Sequence, residues 1–342
     1  MKNICSLVGT RPQFIKVAAF DQYIKKHNPF NHFIVHSGQH FDNDMSEIFF
    51  NQLQISKPHL KIPRDQKSIV NNLSRIMDKL EAFVVENKID LIIVFGDCDT
   101  TLAGAIVANK LGLKLAHVEA GLRSFNKDMP EENNRKITDH ISDFLFCPNS
   151  HALSNLNKEN IHDNIRVVGN LQIELLKNTL ETIGNKNTFH NHCLLTIHRN
   201  YNTNKDTISK IFNDISLINK SFLFPAHPRT RNLIELHKIK VPKNIHINEP
   251  FGYTEMVDIL SSCDYVITDS GGLQLESWYL NKKCIIMRTE TEWMDPIKSN
   301  SSILYDYKTK LNKFIESFLN TKILSKYNLP INTSELIAKD LT

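Results

Sequence analysis

No apolar run in this 342-residue chain approaches the ~18 residues needed to cross a bilayer, so no membrane-spanning helix is expected and no membrane partner follows. Cysteine is scarce. Cys5, Cys98, Cys147, Cys193, Cys263 and Cys284 stand far apart, mostly in apolar runs where a thiol behaves as a small hydrophobe, and no CxxC pair occurs. Reduced cysteines, with an opening "KNICSLV" that carries no charged and apolar leader pattern, predict a cytoplasmic protein. His36 and His40 would share a face only on a helix, whereas "HFIVHSGQH" reads as a strand running into a loop, so no metal site is expected. Lysine and arginine number 41 against 37 acidic residues and are dispersed rather than striped. With no Cys/His finger spacing, nucleic acid is not an expected partner, while the small positive excess suits an anionic ligand. Tandem repeats and low-complexity blocks are also lacking.

Present instead are short β-branched and apolar runs alternating with helix-length segments, the habit of parallel βαβ units buried on both faces. The fold class is therefore α/β. In the first half "ICSLVG", "HFIVHSG", "LIIVFGD", "KLAHVEA" and "DFLFCP" read as strands, with helices near 13–27, 68–86, 99–111 and 130–142. The second half repeats the rhythm with "CLLTIH", "SFLFPAH", "NIHINEP", "DYVITDS" and "CIIMRT", and helices near 204–217, 229–237, 252–262 and 272–280. Single cores stop growing at roughly 250–300 residues, so two Rossmann-like domains are expected. The boundary is placed near residue 168, within "IRVVGNLQIE", giving domains 1–168 and 169–342, the second ending in a helical segment marked by "TKLNKFIESFL".

In open parallel sheets ligands sit beyond the carboxyl ends of the strands, so the residues after each apolar run matter most. "GTRPQFIK" follows the first strand: Gly9 permits a tight turn, Pro12 suits a first helical turn, and Arg11 and Lys16 put cations beside N–H groups that favour an anion. An ordinary βα loop with two solvated cations is the other reading. Glycine is also scarce, 11 in all, yet Gly271 and Gly272 stand together in "TDSGGLQLE" after Ser270. Lacking side chains, they would let phosphate oxygens approach the helix N–H groups, with Glu276 one turn on to meet ribose hydroxyls. Such a pair standing alone is more often a turn than a site. Asp97 in "GDCDTT" and Glu119 in "HVEAGLR" end consecutive strands, and Glu131 lies in the first turn of the helix opened by Pro130. Crowded carboxylates can divide acid and base roles. Yet Glu131 and Glu132 also suit the helix dipole, and Asp97 also suits a turn. His198 and Arg199 end "CLLTIHR", where a histidine could donate to a leaving phosphate or simply be hydrogen-bonded; His227 and Arg229 in "PAHPRT" are placed analogously. His32, His192 and His246 read as surface or strand-edge residues.

Taken together, "GTRPQFIK", "SGQHFDNDM", "GDCDTTLAG", "HVEAGLRSFN", "PEENNR", "TIHRN", "HPRT" and "TDSGGLQLE" resemble, in order and spacing from about residue 3 to residue 298, the non-hydrolysing UDP-N-acetylglucosamine 2-epimerase family. The resemblance implies two Rossmann-like domains facing a cleft, as in GT-B glycosyltransferases, and a homodimer without metal or nicotinamide cofactor. It implies that UDP is eliminated from a UDP-2-acetamido sugar and re-added with inversion at C2, in the service of surface polysaccharide synthesis. Carried onto this chain, it makes Asp97, Glu119 and Glu131 acid/base candidates and His198 a support for the departing phosphate. Arg11, Lys16, Ser270, Gly271, Gly272 and Glu276 would bind UDP. Departures from the family pattern are Tyr201, where an acidic residue is frequent, Leu275 within "TDSGGLQLE", and "TETEWMDP" with Trp293 in place of arginine. Trp293 resembles the branch acting on UDP-2,3-diacetamido-2,3-dideoxyglucuronate; simple loop packing is the alternative. A GT-B glycosyltransferase, a hydrolysing relative releasing UDP, and a catalytically silent nucleotide-sugar binding protein are the competing functions.

Overall fold

The computed structural model describes residues 1–39, 50–63, 68–184, 189–305 and 307–342; His40 and the rest of "HFDNDM" lie outside the described residues. The chain forms two compact units, Met1–Leu175 with Leu329–Thr342, and Leu176–Asn328.

In the first unit the order is β1 (Asn3–Val8), α1 (Arg11–His27), β2 (Asn31–His36), β3 (Leu60–Lys61), α2 (Ile69–Glu86), β4 (Leu91–Phe95) and α3 (Asp99–Leu111). There follow β5 (Lys114–Val118), α4 (Pro130–Ile141), β6 (Phe144–Cys147), α5 (Ser150–Lys158), β7 (Ile165–Val167) and the start of α6 (Leu171–Ile183). The seven strands run β3-β2-β1-β4-β5-β6-β7, and the paired strands are parallel. Apolar runs such as "LIIVF" in β4 are buried along their whole length, as a sheet covered on both faces requires. Gly104 of α3 explains one close helix–sheet approach: a Cβ there would come within 2.7 Å of Val94 and 2.8 Å of Leu7. The strand order reverses between β1 and β4, the switch point at which such sheets open a ligand crevice.

The second unit runs β8 (His192–Thr196), α7 (Lys205–Ile215), β9 (Ser221–Pro225), α8 (Pro228–Leu236), β10 (Ile245–Asn248), α9 (Tyr253–Ser262) and β11 (Tyr265–Thr268). It continues through α10 (Gly271–Tyr279), β12 (Lys283–Ile286), α11 (Met294–Lys298), β13 (Ser302–Leu304) and α12 (Leu311–Leu319). Its six strands follow β10-β9-β8-β11-β12-β13, with a switch point between β8 and β11. Successive strand residues feed opposite cores: Leu195 and Ile267 join Phe212 and Phe224, whereas Leu194 and Val266 join Leu260 and Ile286.

The division of the chain differs from the expected 1–168 and 169–342. The compact units meet at Leu175 and Leu176, inside α6, and the last residues return to the first unit as α13 (Thr333–Leu341). Specific bonds explain the return. Thr333 Oγ1 donates to the Val168 carbonyl at 2.8 Å, Ser334 N and Oγ donate to Glu174 at 2.7 and 3.0 Å, and Asp340 pairs with Arg166. Gly169 makes the approach possible: its φ is +84°, and a Cβ would lie 2.1 Å from the Pro330 carbonyl oxygen.

Candidate active site

Each sheet gathers polar groups at the carboxyl ends beside its switch point. In the first unit β1 feeds Gly9-Thr10 into α1, and Gln13 closes that turn. Its Oε1 accepts from Gly9 N at 2.7 Å and Thr10 N at 3.1 Å, while its Nε2 donates to the Phe95 carbonyl at 2.8 Å. Arg11 opens α1 and is partly exposed. Lys16 is buried one turn further in, and its ammonium is paired with Glu119. The sequence reading set Lys16 beside Arg11 as an anion ligand; the structure sets it against a carboxylate.

Glu119 follows β5 with φ +74°, a left-handed conformation that a side chain rarely adopts without being held. It is held from both sides: Glu119 N and Ala120 N donate to the Phe146 carbonyl of β6 at 3.0 and 3.1 Å, and Gly121, at φ +78°, lies where a Cβ would meet Ala152 O at 2.3 Å. Its carboxylate takes Lys16 on Oε2 and Asn170 Nδ2 at 2.8 Å on Oε1. Gly96, at the end of β4, leaves room for this pair: a Cβ there would stand 3.3 Å from Lys16 Nζ and 3.5 Å from Glu119 Oε2.

Asp97 comes next in the chain, so the Asp97 and Glu119 turns are adjacent, as consecutive strand ends predict. The Asp97 side chain keeps 35% of its surface and pairs with Arg135, while its carbonyl accepts from Asn134 Nδ2 at 3.0 Å. Arg135 also donates to Glu132 at 2.9 Å. Of the two glutamates opening α4, Glu132 is the buried one and anchors the preceding loop, accepting from Ser124 N (2.8 Å), Ser124 Oγ (3.0 Å) and Phe125 N (3.1 Å). Burial would raise its pKa, but these donors and Arg135 lower it below the ordinary value. Glu131 is half-buried in the same first turn. Asn134, Arg135 and Asn170 were not singled out from sequence; the available signals were the "ENNR" that completes the α4 turn and the asparagine after Gly169.

In the second unit Asp269 is the organiser. Its side chain has no exposed surface and accepts from His198 N (3.1 Å), Arg199 N (2.9 Å), Asn202 Nδ2 (3.0 Å) and His198 Nδ1 (2.9 Å). Burial opposes ionisation, yet His198 and the other donors hold its pKa below the ordinary carboxylate value. The His198 ring, 46% exposed, thus commits Nδ1–H to Asp269 and retains Nε2 for other contacts. Arg229 Nη2 donates to the His198 carbonyl at 3.0 Å, joining "HPRT" to "TIHRN".

Ser270 caps α10, and Gly271 and Gly272 form its first turn, where N–H groups have no intrahelical acceptor. A Cβ on Gly271 would lie 3.0 Å from Glu292 Oε1 and 3.7 Å from both Arg288 Nη1 and Trp293 Nε1. Arg288 is 5% exposed and pairs with Glu292 at 3.0 Å through Nη2, while Nη1 has no hydrogen-bond partner among the described residues. Trp293 is buried, and its N donates to Thr291 Oγ1 at 3.1 Å. Glu276 is buried on α10 and lies close enough to raise the Tyr253 pKa beyond what burial does.

One other constellation imitates a catalytic triad. Ser6 Oγ lies 2.8 Å from His32 Nε2, and His32 Nδ1 lies 3.2 Å from Asp21 Oδ1. Ser6 has no exposed surface, so no substrate carbonyl can reach it, and the His32 side chain is only 5% exposed.

Two Rossmann-like sheets on one chain, one ending in carboxylates and the other in a glycine-led helix N-terminus, define a GT-B-like α/β protein. The family model for UDP-N-acetylglucosamine 2-epimerase matches residues 22–330, and the chain belongs to that family. It is 38% identical to a UDP-N-acetylglucosamine 2-epimerase homolog of Methanococcus maripaludis, over 92% of both chains. It is 36% identical to the UDP-2,3-diacetamido-2,3-dideoxy-D-glucuronate 2-epimerase of Pseudomonas aeruginosa, over 88% of both. Its structure is similar to the crystal structure of Methanocaldococcus jannaschii UDP-GlcNAc 2-epimerase in complex with UDP-GlcNAc and UDP, with a TM-score of 0.89, 34% identity and 99% of each chain covered.

Proposed function

We propose that this chain is a UDP-2-acetamido-sugar 2-epimerase acting on UDP-GlcNAc or on a UDP-2,3-diacetamido-glucuronate. The observation that carries the reading is the convergence of Asp97 and Glu119, each paired with a cation, on adjacent strand-end turns in a member of this family. A carboxylate takes the C2 proton, the C–H electrons form the C1–C2 double bond, and UDP leaves with the C1–O pair. A proton then reaches C2 from the opposite face as UDP adds back to C1. Asp97, Glu119 and Glu131 are the groups assigned to these proton transfers, which need positioned acids and bases. His198, oriented by Asp269, supports the phosphate as negative charge develops on it.

Arg11, Lys16, Ser270, Gly271, Gly272 and Glu276 are the groups assigned to UDP. Arg288 Nη1, buried and unpartnered beside Gly271, supports an anionic ligand at the start of α10. Trp293, beside the same glycine, is the residue assigned to sugar choice. The reaction belongs in the cytoplasm, where UDP-sugars are made, in a homodimer that supplies surface polysaccharide synthesis. Six free cysteines are compatible with this. Incubation with each of the two UDP-sugars should give C2 inversion of at least one by NMR. No inversion of either, or accumulation of free UDP with free sugar, refutes the proposal.

A further inference from the structure

Beneath the two catalytic turns lies a buried chain of charge. The side chains of His117 in β5, Asp139 in α4 and Arg123 have no exposed surface. His117 Nδ1 lies 2.6 Å from Asp139 Oδ1, and Nε2 lies 2.8 Å from the Gly96 carbonyl oxygen. A carbonyl oxygen can only accept, so Nε2 carries a proton. The other Asp139 oxygen accepts from Arg123 Nη1 at 2.7 Å and from Gly121 N at 3.1 Å. Burial would raise the Asp139 pKa, but the net direction is downward, and Arg123 and Gly121 N favour its ionised form whatever the state of His117. An ionised carboxylate also only accepts, so Nδ1 carries a proton too. The charges agree with this count. Arg123 forks onto Glu159 at 2.8 and 2.7 Å, so imidazolium and guanidinium balance two carboxylates, whereas a neutral ring would leave one negative charge uncompensated. The remaining groups around the cluster are Cys147 of β6, kept neutral by burial, and the Lys16–Glu119 pair across Gly96.

We propose that His117 donates from both ring nitrogens and is the positioning residue that ties the Asp97 turn to the Glu119 turn. One ring N–H fixes the carbonyl of Gly96, which stands at φ +65° directly before Asp97. The other fixes Asp139, whose second oxygen holds Gly121 N, two residues past Glu119. A neutral ring has one N–H and would release one of the two ties. Glu119 is left-handed at φ +74°, so its turn depends on such fastening.

The protonation claim is independent of the reaction proposed above, and the positioning claim rests on it. In the full chain labelled with 15N-histidine, His117 is assigned through its contact to the Gly96 backbone. At about pH 8 both ring nitrogens should carry protons, one donated to the Gly96 carbonyl and one to Asp139. A single protonated nitrogen at about pH 8 overturns the claim. For positioning, His117→Gln keeps one amide donor and should lower kcat about a hundredfold, with UDP binding to the second unit unchanged by calorimetry. Asp139→Asn should behave alike, and the double variant should lose no more than either single one. Wild-type kcat in His117→Gln, or losses that simply add, would overturn the positioning role.

Discussion

Replacing Glu119 by glutamine removes a charge from a pair whose side chains are 8% and 9% exposed. The Lys16 ammonium then stays buried without its partner, which costs about 3–5 kcal/mol where one member of a buried pair is removed. Geometry prevents recovery. The carboxylate accepts from Lys16 on one oxygen and from Asn170 Nδ2 on the other, whereas an amide presents one oxygen and one NH2. Either amide orientation therefore sets a donor against a donor. The same change removes one of the proposed proton-transfer groups, for which general acid–base catalysis predicts a loss of about 10²–10⁴-fold. Urea denaturation should show the stability loss, and C2 deuterium uptake from D2O, followed by NMR, the catalytic one. Adding Lys16→Met should restore much of the stability and none of the exchange, because it removes the stranded charge without restoring the base. Wild-type exchange in Glu119→Gln, or recovery of exchange in the double variant, would refute the reasoning.

Gly271→Ala places a methyl 3.0 Å from Glu292 Oε1 at the start of α10, so UDP affinity should fall at least about tenfold by calorimetry; unchanged affinity would remove that turn from the nucleotide site. Acid stability should carry a signature of Asp21. Burial opposes its ionisation, but hydrogen bonds from His32, Lys25 and Ser56 N lower its pKa from 3.8 to about 2. Being depressed in the folded chain, it contributes about 2 kcal/mol that is present above pH 3.8 and lost as pH falls through 2. Asp21→Asn should be less stable at pH 7 and lose less between pH 4 and pH 2; parallel urea-derived stability curves would contradict this.

Ten of the thirteen described strands were legible because parallel strands buried on both faces read as unbroken apolar runs, as in "LIIVF" and "YVIT", whereas β3, β7 and β13 are two or three residues long and carry no such run. Helix starts at Pro12 and Pro130 were legible for a local reason too, since proline suits the first turn. α5 was not, because it buries only Ala152 and Leu156 and shows no clear stripe. The return of α13 to the first unit depends on Val168 and Glu174, far away in sequence, so no local pattern encodes it. Gly169 held the one hint, a glycine needed for close approach, which also reads as a domain boundary. For the site, strand ends located Asp97, Glu119, His198 and the 270–272 turn. Their partners Lys16, Arg135, Asn170 and Asp269 come from other elements, and periodicity cannot pair residues across a sheet.

Removal of the C2 proton with departure of UDP is the central proposed step. The most direct measurement runs the enzyme in D2O on UDP-GlcNAc, and on its diacetamido-uronate counterpart, with 18O in the bond between C1 and UDP. Deuterium at C2 of the inverted product, with 18O scrambled into the non-bridging positions of recovered substrate, is the predicted result. Inversion that retains the C2 proton, or substrate whose 18O never leaves the bridge, would contradict it.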